Sequence, residues 1–230
     1  MGVKITYFVH GTTTDNEREI SSGWGDAELS ELGVRQAIEL VNYLKPTCLD
    51  AVRGASEACD QAVRGSTARE QTSEATKKCA KHGGFNFDVV FCSDLKRAAH
   101  SAELAFEGVA MIIEDARLRE CNYGTFNGKS SLIVEPMCET KISKQFPEGE
   151  SYEDVKRRMA DFLEFLNKNY DGKHVAIVSH KAPQLALDVL LKNKEWKQAF
   201  ACDWRKTKRP ARHANVVVAG GWKPGWEYTL

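Results

Sequence analysis

The sequence lacks the features that would send a chain to a membrane or to nucleic acid. It contains no apolar run of the roughly 18 to 20 residues that a membrane-spanning helix needs. Its first eight residues do not show the basic and then apolar layout of a secretion signal. It also lacks an excess of charge, because 32 Lys and Arg balance 32 Asp and Glu. We therefore expect neither a membrane partner nor a nucleic-acid partner, since proteins that coat nucleic acid usually carry a large positive excess.

Cysteine pairing is also missing from the sequence. The seven cysteines include no Cys-x-x-Cys pair, and an odd number cannot all be joined in disulfides. This pattern is typical of free thiols in a reducing compartment, so we expect a cytoplasmic protein. Hydrophobic residues make up 42% of the chain, which is enough for a sizeable core and excludes a wholly disordered protein.

Strands and helices are predicted to alternate along the chain. Runs of β-branched and aromatic residues predict strands, and amphipathic runs behind N-cap residues predict helices. The predicted strands span residues 3–9, 88–92, 111–113, 174–179 and 216–218, and the predicted helices span 30–44, 95–106, 151–167 and 183–191. This alternation is typical of a three-layer α/β domain, in which helices flank a mostly parallel sheet.

Residues 47–84 differ in composition from the rest of the chain. They are rich in small, polar and charged residues and poor in large apolar ones. The pattern Ala-Val-Arg-Gly occurs at 51–54 and again at 62–65, a spacing of about three helical turns. We therefore predict one domain over residues 1–230, with residues 47–84 as a helical insertion on its surface.

Three side chains that can act on an anion follow predicted strands. In parallel α/β sheets, binding sites form where strands end and helices begin. His10 and His180 each follow a strand, and Arg97 lies in the first turn of a helix, near N–H groups that attract anions. After His10, Gly11 allows a sharp turn, and the threonines that follow, including Thr13, offer hydroxyl and N–H groups.

The same residues argue for a phosphoryl group as ligand and against a metal ion. No carboxylate or thiolate lies at metal-ligand spacing from His10 or His180. Two imidazoles, a guanidinium and a helix N-terminus together are better suited to an anion. We therefore predict no metal and no cofactor, and a small phosphorylated metabolite as the partner.

Six segments, in this order, resemble the conserved blocks of the histidine phosphatase superfamily, also called the phosphoglycerate mutase-like family. They are YFVHGTTTDN at 7–16, GDAELSELGVRQA at 25–37, FCSDLKRAAHSAE at 91–103, LRECNYGTFNG at 118–128, PEGES at 147–151 and VSH at 178–180. The resemblance implies the same α/β fold, and it leaves residues 47–84 as the main stretch that it does not cover.

The resemblance also implies a role for each site residue. His10 would attack phosphorus and become a phosphohistidine, which divides one difficult displacement into two easier ones. Arg97 and His180 would hold the non-bridging oxygens, where negative charge is spread in the transition state. Glu120 would protonate the leaving alkoxide and then deprotonate the attacking water. Further contacts to the phosphate or the substrate would come from Asn16 and Ser22.

One position departs from the family pattern. The family usually has an arginine directly before the nucleophilic histidine, and this chain has Val9 there. Valine cannot supply a bidentate clamp on phosphate. Lys181 is our first candidate to supply the missing charge, and Arg35 and Arg119 are the others. Without such a cation, the chain would be a weak or inactive phosphate-binding protein on the same fold.

The resemblance leaves phosphatase and phosphoglycerate mutase as alternatives. Mutases of the family close a long stretch over the site and exclude water. Here the connection between Gly128 and Pro147 is only 18 residues long, which favours an open site and hydrolysis. Residues 47–84 could serve as the lid instead, so the mutase alternative stays open.

Four tryptophans crowd the C-terminal third of the sequence. They fit core packing or a dimer surface better than a platform for stacking bases, which keeps a homodimer open. They are Trp196, Trp204, Trp222 and Trp226.

Overall fold

The computed structural model describes residues 2–43, 87–203 and 225–230. Two predictions, the helical insertion at 47–84 and the strand at 216–218, lie outside these residues.

Short strands and helices alternate from the first described residues onward. The first half contains β1 (Lys4–Val9), α1 (Thr14–Glu17), β2 (Ile20–Ser21), α2 (Glu31–Tyr43), β3 (Val89–Cys92), α3 (Lys96–Phe106) and β4 (Ile112–Glu114). The second half contains β5 (Lys129–Ser130), α4 (Ser131–Met137), α5 (Tyr152–Asn169), β6 (His174–Ser179), α6 (Lys181–Leu191), α7 (Trp196–Ala201) and β7 (Trp226–Thr229). Short 3-10 turns occupy Ala116–Leu118, Gly124–Phe126 and Cys138–Lys141.

The main sheet has the order β4-β3-β6-β1-β7. Its first four strands are parallel to one another, and β7 pairs antiparallel with β1 at the edge. The prediction of a mostly parallel sheet is thereby confirmed. A separate two-stranded sheet joins β2 to β5.

Alternation along the strands divides the core into two layers. Ile5 and Tyr7 of β1 belong to the larger hydrophobic cluster, which also contains buried residues of α5, α6 and α7. Phe8 points to the opposite face, where it packs with Leu40 of α2 and Phe106 of α3. A period of two along a strand places successive side chains on opposite faces, so the sheet is covered by helices on both sides. The three-layer prediction is thus confirmed.

Several elements differ from the sequence prediction, and three of the differences have a clear physical reason. The edge strand β7 was not predicted, because its four residues pair only with β1 and form a short run near the chain end. Helix α4 was not predicted either, and it contains Pro136, which breaks the usual helical pattern. Helix α6 begins two residues earlier than predicted, since Pro183 is tolerated within a first turn, where an N–H has no helical partner.

Two of the four C-terminal tryptophans lie in the described ranges, where Trp196 is buried and Trp226 is partly buried against the core. Trp196 stacks edge-on against Tyr152, and Trp226 stacks edge-on against Tyr7. Within the described ranges no helix is long and apolar enough to cross a bilayer. The cysteines described there are free thiols, namely Cys92, Cys121, Cys138 and Cys202.

Two glycines let the turn after β1 cross helix α2 at close range. A Cβ on Gly33 would lie 2.0 Å from the Thr12 carbonyl oxygen, and a Cβ on Gly11 would lie 2.4 Å from the Gly33 carbonyl oxygen. No side chain fits between backbones at these distances. This close crossing fixes the position of the turn that carries His10 relative to helix α2.

We predict that Gly33→Ala destabilises the protein, although alanine normally stabilises a helix interior by about 1 kcal/mol relative to glycine. The added methyl must push the 10–12 turn away from α2, and overpacking of this kind costs about 1–3 kcal/mol. Urea denaturation measures the change, with Glu39→Ala on the exposed face of α2 as the control. A Gly33→Ala protein as stable as wild type would contradict the close crossing.

Candidate active site

A cavity of about 560 Å³ opens at the carboxyl edge of the sheet. Its wall includes six of the residues predicted from the sequence, namely His10, Asn16, Ser22, Arg97, Glu120 and Lys181. The strands β1 and β6 are adjacent and parallel, with Val9 opposite Ser179. The residues that follow them therefore leave the sheet side by side, and the imidazole centroids of His10 and His180 lie 5.0 Å apart.

The hydrogen bonds of His10 fix its orientation and its tautomer. Its backbone N–H donates to the Ser179 carbonyl oxygen over 3.0 Å, which continues the β1–β6 ladder by one residue. Its Nδ1 lies 2.7 Å from the Gly11 carbonyl oxygen. A carbonyl oxygen can only accept, so Nδ1 carries the proton and the neutral ring has its lone pair on Nε2. An imidazole in this tautomer is prepared to act as a nucleophile through Nε2.

His180 is fully buried and its backbone is held from both sides by one phenol. The hydroxyl of Tyr7 donates to the His180 carbonyl oxygen over 2.7 Å and accepts from the His180 N–H over 3.1 Å. Neither ring nitrogen has a hydrogen-bond partner among the described residues. Burial, followed by the charges of Arg97, His10 and Arg158, lowers the pKa of His180 well below its usual value. The ring is therefore neutral at pH 7, and an acceptor oxygen beside His10 would satisfy its N–H.

Arg97 lies in the first turn of α3 and is almost completely buried. Its Nη1 donates to the Gly25 carbonyl oxygen over 2.9 Å, and its Nη2 donates to the Gly23 carbonyl oxygen over 2.7 Å. Burial lowers its pKa, but from so high a value that the group stays charged. A guanidinium has five N–H donors, so the two carbonyls leave donors for an anion in the cavity.

Glu120 joins the cavity to the start of helix α6. Its Oε1 accepts from the Cys121 N–H over 2.8 Å and from the Ala182 N–H over 3.0 Å. Both donors reach the same oxygen, so Oε2 is the oxygen that can exchange a proton with a ligand. Two donors hold the Glu120 carbonyl in turn, the indole of Trp24 at 2.7 Å and the guanidinium of Arg158 at 2.9 Å.

Four further residues were predicted to contact the phosphate or the substrate. Two of them line the cavity, and the other two lie outside its wall. Asn16 lines the cavity, while its Oδ1 accepts from the Thr13 N–H over 3.0 Å. Ser22 also lines the cavity and donates to the Asp15 carboxylate over 2.7 Å. The structure does not bring Thr13 to the wall, because its side chain is buried and caps helix α1. Gly11 lies behind the wall as well, where its N–H donates to Ser101 over 3.0 Å.

The position that usually holds an arginine is apolar here. Val9 lines the cavity with only 8% of its surface exposed. Of the three candidate replacements, only Lys181 lies in the cavity wall. Arg119 is paired with Asp94 at 2.6 Å, outside the wall, and Arg35 is exposed on α2.

Several residues of the site were missed by the sequence analysis. Glu135 of α4 lines the cavity, and Tyr123 lines it beside Glu120. Arg158 supports the site through the Glu120 carbonyl and an ion pair with Glu150 at 3.0 Å. Glu135 and Arg158 lie in segments that no motif marked, so only the three-dimensional packing could assign them. Among the described residues, no group of three or more His, Cys, Asp and Glu side chains is placed to hold a metal ion.

Comparison with known proteins gives the same family as the motifs. The model of the histidine phosphatase superfamily (branch 1) matches residues 7–58 and 66–209, which is more than half of the chain. The chain belongs to this superfamily. The match runs into residues 47–84 from both sides and leaves out 59–65.

Individual relatives of the superfamily include mutases and phosphatases. A 2,3-bisphosphoglycerate-dependent phosphoglycerate mutase of Streptococcus sanguinis is 26% identical over 178 residues, which are 76% of this chain and 57% of that protein. The chain thus spans little more than half the length of that curated relative.

Two solved structures share the fold. A mycobacterial glucosyl-3-phosphoglycerate phosphatase in complex with VO3 has a TM-score of 0.60 and 21% identity, with 86% of each chain covered. The alpha-ribazole phosphatase of Shigella flexneri has a TM-score of 0.61 and 18% identity, with 86% of this chain and 84% of that one covered. At these identities the likeness shows the fold alone.

We predict that His180 makes the protein less stable in mild acid. The folded state holds this ring neutral, whereas in the unfolded chain it takes up a proton as the pH falls through about 6.5. Unfolding therefore becomes easier below that pH, by up to about 1.4 kcal/mol per pH unit from this one group. Urea denaturation of wild type and His180→Asn at pH 7.5, 6.0 and 5.0 measures the effect. The stability of wild type should fall more steeply, and parallel curves would show that His180 titrates normally.

Proposed function

We propose that this chain is a metal-independent phosphatase, which hydrolyses a small phosphate monoester through a phosphohistidine on His10. The observation that carries the proposal is the bond from His10 Nδ1 to the Gly11 carbonyl oxygen, because it places the nucleophilic lone pair on Nε2. The proposed partner is a small phosphorylated metabolite. Unpaired cysteines in the described ranges are in keeping with the cytoplasm as its compartment.

The proposed reaction has two steps. In the first, Nε2 of His10 attacks phosphorus, the ester P–O bond breaks, and the leaving alkoxide takes a proton from Oε2 of Glu120. In the second, water attacks the phosphohistidine, Glu120 takes up the proton of that water, and the N–P bond breaks to release phosphate. Arg97 and the N–H of His180 stabilise the charge on the non-bridging oxygens in both transition states.

A phosphoglycerate mutase is the second candidate, and the identity to the streptococcal mutase favours it. The short connection 129–146 supports hydrolysis instead. Its helix α4 forms one wall of the cavity, and Leu132 on that helix keeps 76% of its surface exposed. Water that reaches the phosphohistidine ends the reaction as hydrolysis.

A weak or inactive phosphate-binding protein is the third candidate, and Val9 favours it. An isopropyl group in the cavity wall offers no donor to phosphate. Turnover of p-nitrophenyl phosphate no better than that of His10→Ala, across a range of pH, would establish this alternative. A screen of phosphorylated metabolites with wild type and His10→Ala side by side tests the proposed function directly.

We predict that Glu120→Gln slows the first turnover of substrates with an alkoxide leaving group much more than that of p-nitrophenyl phosphate. An alkoxide needs a proton as it leaves, whereas p-nitrophenolate is stable without one. In the first turnover, measured by rapid mixing, the release of glycerol from glycerol phosphate should slow by roughly 10²–10⁴-fold. The first-turnover release of p-nitrophenol should change little, with His10→Ala as the baseline for no chemistry. Equal slowing with both substrates would show that Glu120 is not the proton donor.

We predict that the protein does not act as a mutase. When it is incubated with 3-phosphoglycerate and 2,3-bisphosphoglycerate, phosphorus NMR should show orthophosphate in amounts at least equal to any 2-phosphoglycerate, because water reaches the open cavity. Hydrolysis of the bisphosphate releases one orthophosphate with each monophosphate that it forms. His10→Ala should release no orthophosphate above background. Formation of 2-phosphoglycerate that is faster than release of orthophosphate would assign the chain to the mutases.

A further inference from the structure

The cavity wall contains an ion pair between its lysine and a glutamate. Lys181 is the first residue of α6, directly after His180, and its side chain is only 5% exposed. Its Nζ lies 2.7 Å from Oε2 of Glu135 on helix α4. Both residues line the same cavity as His10. Lys181, which directly follows His180 in the sequence, therefore already has a carboxylate as its partner.

This pairing conflicts with a simple role for Lys181 as a phosphate clamp. Among the described residues of the wall, Arg97 and Lys181 are the arginine and lysine side chains. Arg97 keeps donors for a ligand and has no carboxylate among its hydrogen-bond partners, since it donates to backbone carbonyls. Lys181 has a full negative charge beside it, so a phosphate that approaches its ammonium also approaches Glu135 and is repelled by it.

Helix α4 has contacts other than this ion pair that hold it in place. Val134 of that helix is fully buried in the larger hydrophobic cluster. At its start, the Ser131 N–H donates to the Glu19 carbonyl oxygen over 2.7 Å, and the hydroxyls of Ser131 and Ser21 lie 3.0 Å apart. Buried ion pairs contribute little net stability, because both charges must be taken out of water. A role in ligand binding explains the pair better than a role in docking the helix.

We propose that Glu135 sets the affinity of the site for phosphate, because it competes with the phosphoryl group for the ammonium of Lys181. This inference rests on the proposed function and identifies the residue that regulates its binding step. In the empty site, Lys181 donates to Glu135. When a phosphoryl group occupies the cavity, Lys181 donates to a non-bridging oxygen and supplies the charge that Val9 cannot.

The test measures binding of orthophosphate to the full chain by calorimetry, without any need for turnover. Glu135→Gln keeps the shape of the side chain and removes its charge, so orthophosphate should bind roughly ten- to a hundredfold more tightly. Glu135→Asp, which shortens the carboxylate, should lie between Gln and wild type. Glu164→Gln, an exposed position on α5 outside the cavity, is the matched control and should bind as wild type does.

The double variant decides whether the effect passes through Lys181. In a Lys181→Met background, Glu135→Gln should bring little further tightening, whereas Lys181→Met alone should weaken binding of orthophosphate. Tightening that persists without Lys181 would show plain repulsion by Glu135 and would overturn the competition. Equal affinity of wild type, Glu135→Asp and Glu135→Gln would also overturn it.

The outcomes also separate this inference from the proposed function. A protein that binds orthophosphate under the control of Glu135 but never hydrolyses a monoester would contradict only the proposed function. A protein that hydrolyses a monoester, but whose affinity for orthophosphate does not change when Glu135 is substituted, would contradict only this inference.

Discussion

The site depends on the pairing of two parallel strands in one register. Val9 at the end of β1 stands opposite Ser179 at the end of β6, and the His10 N–H donates to the Ser179 carbonyl oxygen. Because both strands end at the same level, the next residue of each is a histidine. His10 lines the cavity, and the centroid of the fully buried His180 ring lies 5.0 Å from that of His10. A shift by one residue would send one imidazole to the other face of the sheet. The family's chemistry requires this convergence, and the buried ladder around it makes a shift costly.

The electrostatic balance around the two rings is unusual for an anion site. Val9 supplies no charge, Arg97 is partly occupied by two backbone carbonyls, and Lys181 is paired with Glu135. Binding of phosphate to Lys181 therefore has to displace Glu135, whereas Arg97 keeps further N–H donors for a ligand. The neutral ring of His180, with no hydrogen-bond partner among the described residues, is the donor that gains most from a bound anion. Under the proposed competition, the affinity for phosphate depends on exchange of partners at Lys181 as well as on new contacts.

Much of this arrangement could be predicted from the sequence, because it follows from local patterns. Strand periodicity marked β1, β3 and β6, and histidines directly after two of these strands pointed to one edge of the sheet. Residues whose roles depend on distant partners could not be predicted. Glu135 comes from a helix that Pro136 hides from pattern analysis, and Thr13 offers a hydroxyl that the fold uses as a helix cap. The edge strand β7 could not be predicted for the same reason, because its four residues form a strand only through their pairing with β1.

The most direct test of phosphohistidine catalysis uses Glu120→Gln with p-nitrophenyl phosphate. The first step needs no proton for this leaving group, whereas the second needs Glu120 as the base, so the phosphoenzyme should accumulate. Rapid quenching and mass spectrometry should then find one phosphoryl group, stable in base and lost in acid, on the peptide that contains His10. Adding His10→Ala should abolish it. Release of p-nitrophenol with the phosphoryl group on another residue, or on none, would contradict the mechanism.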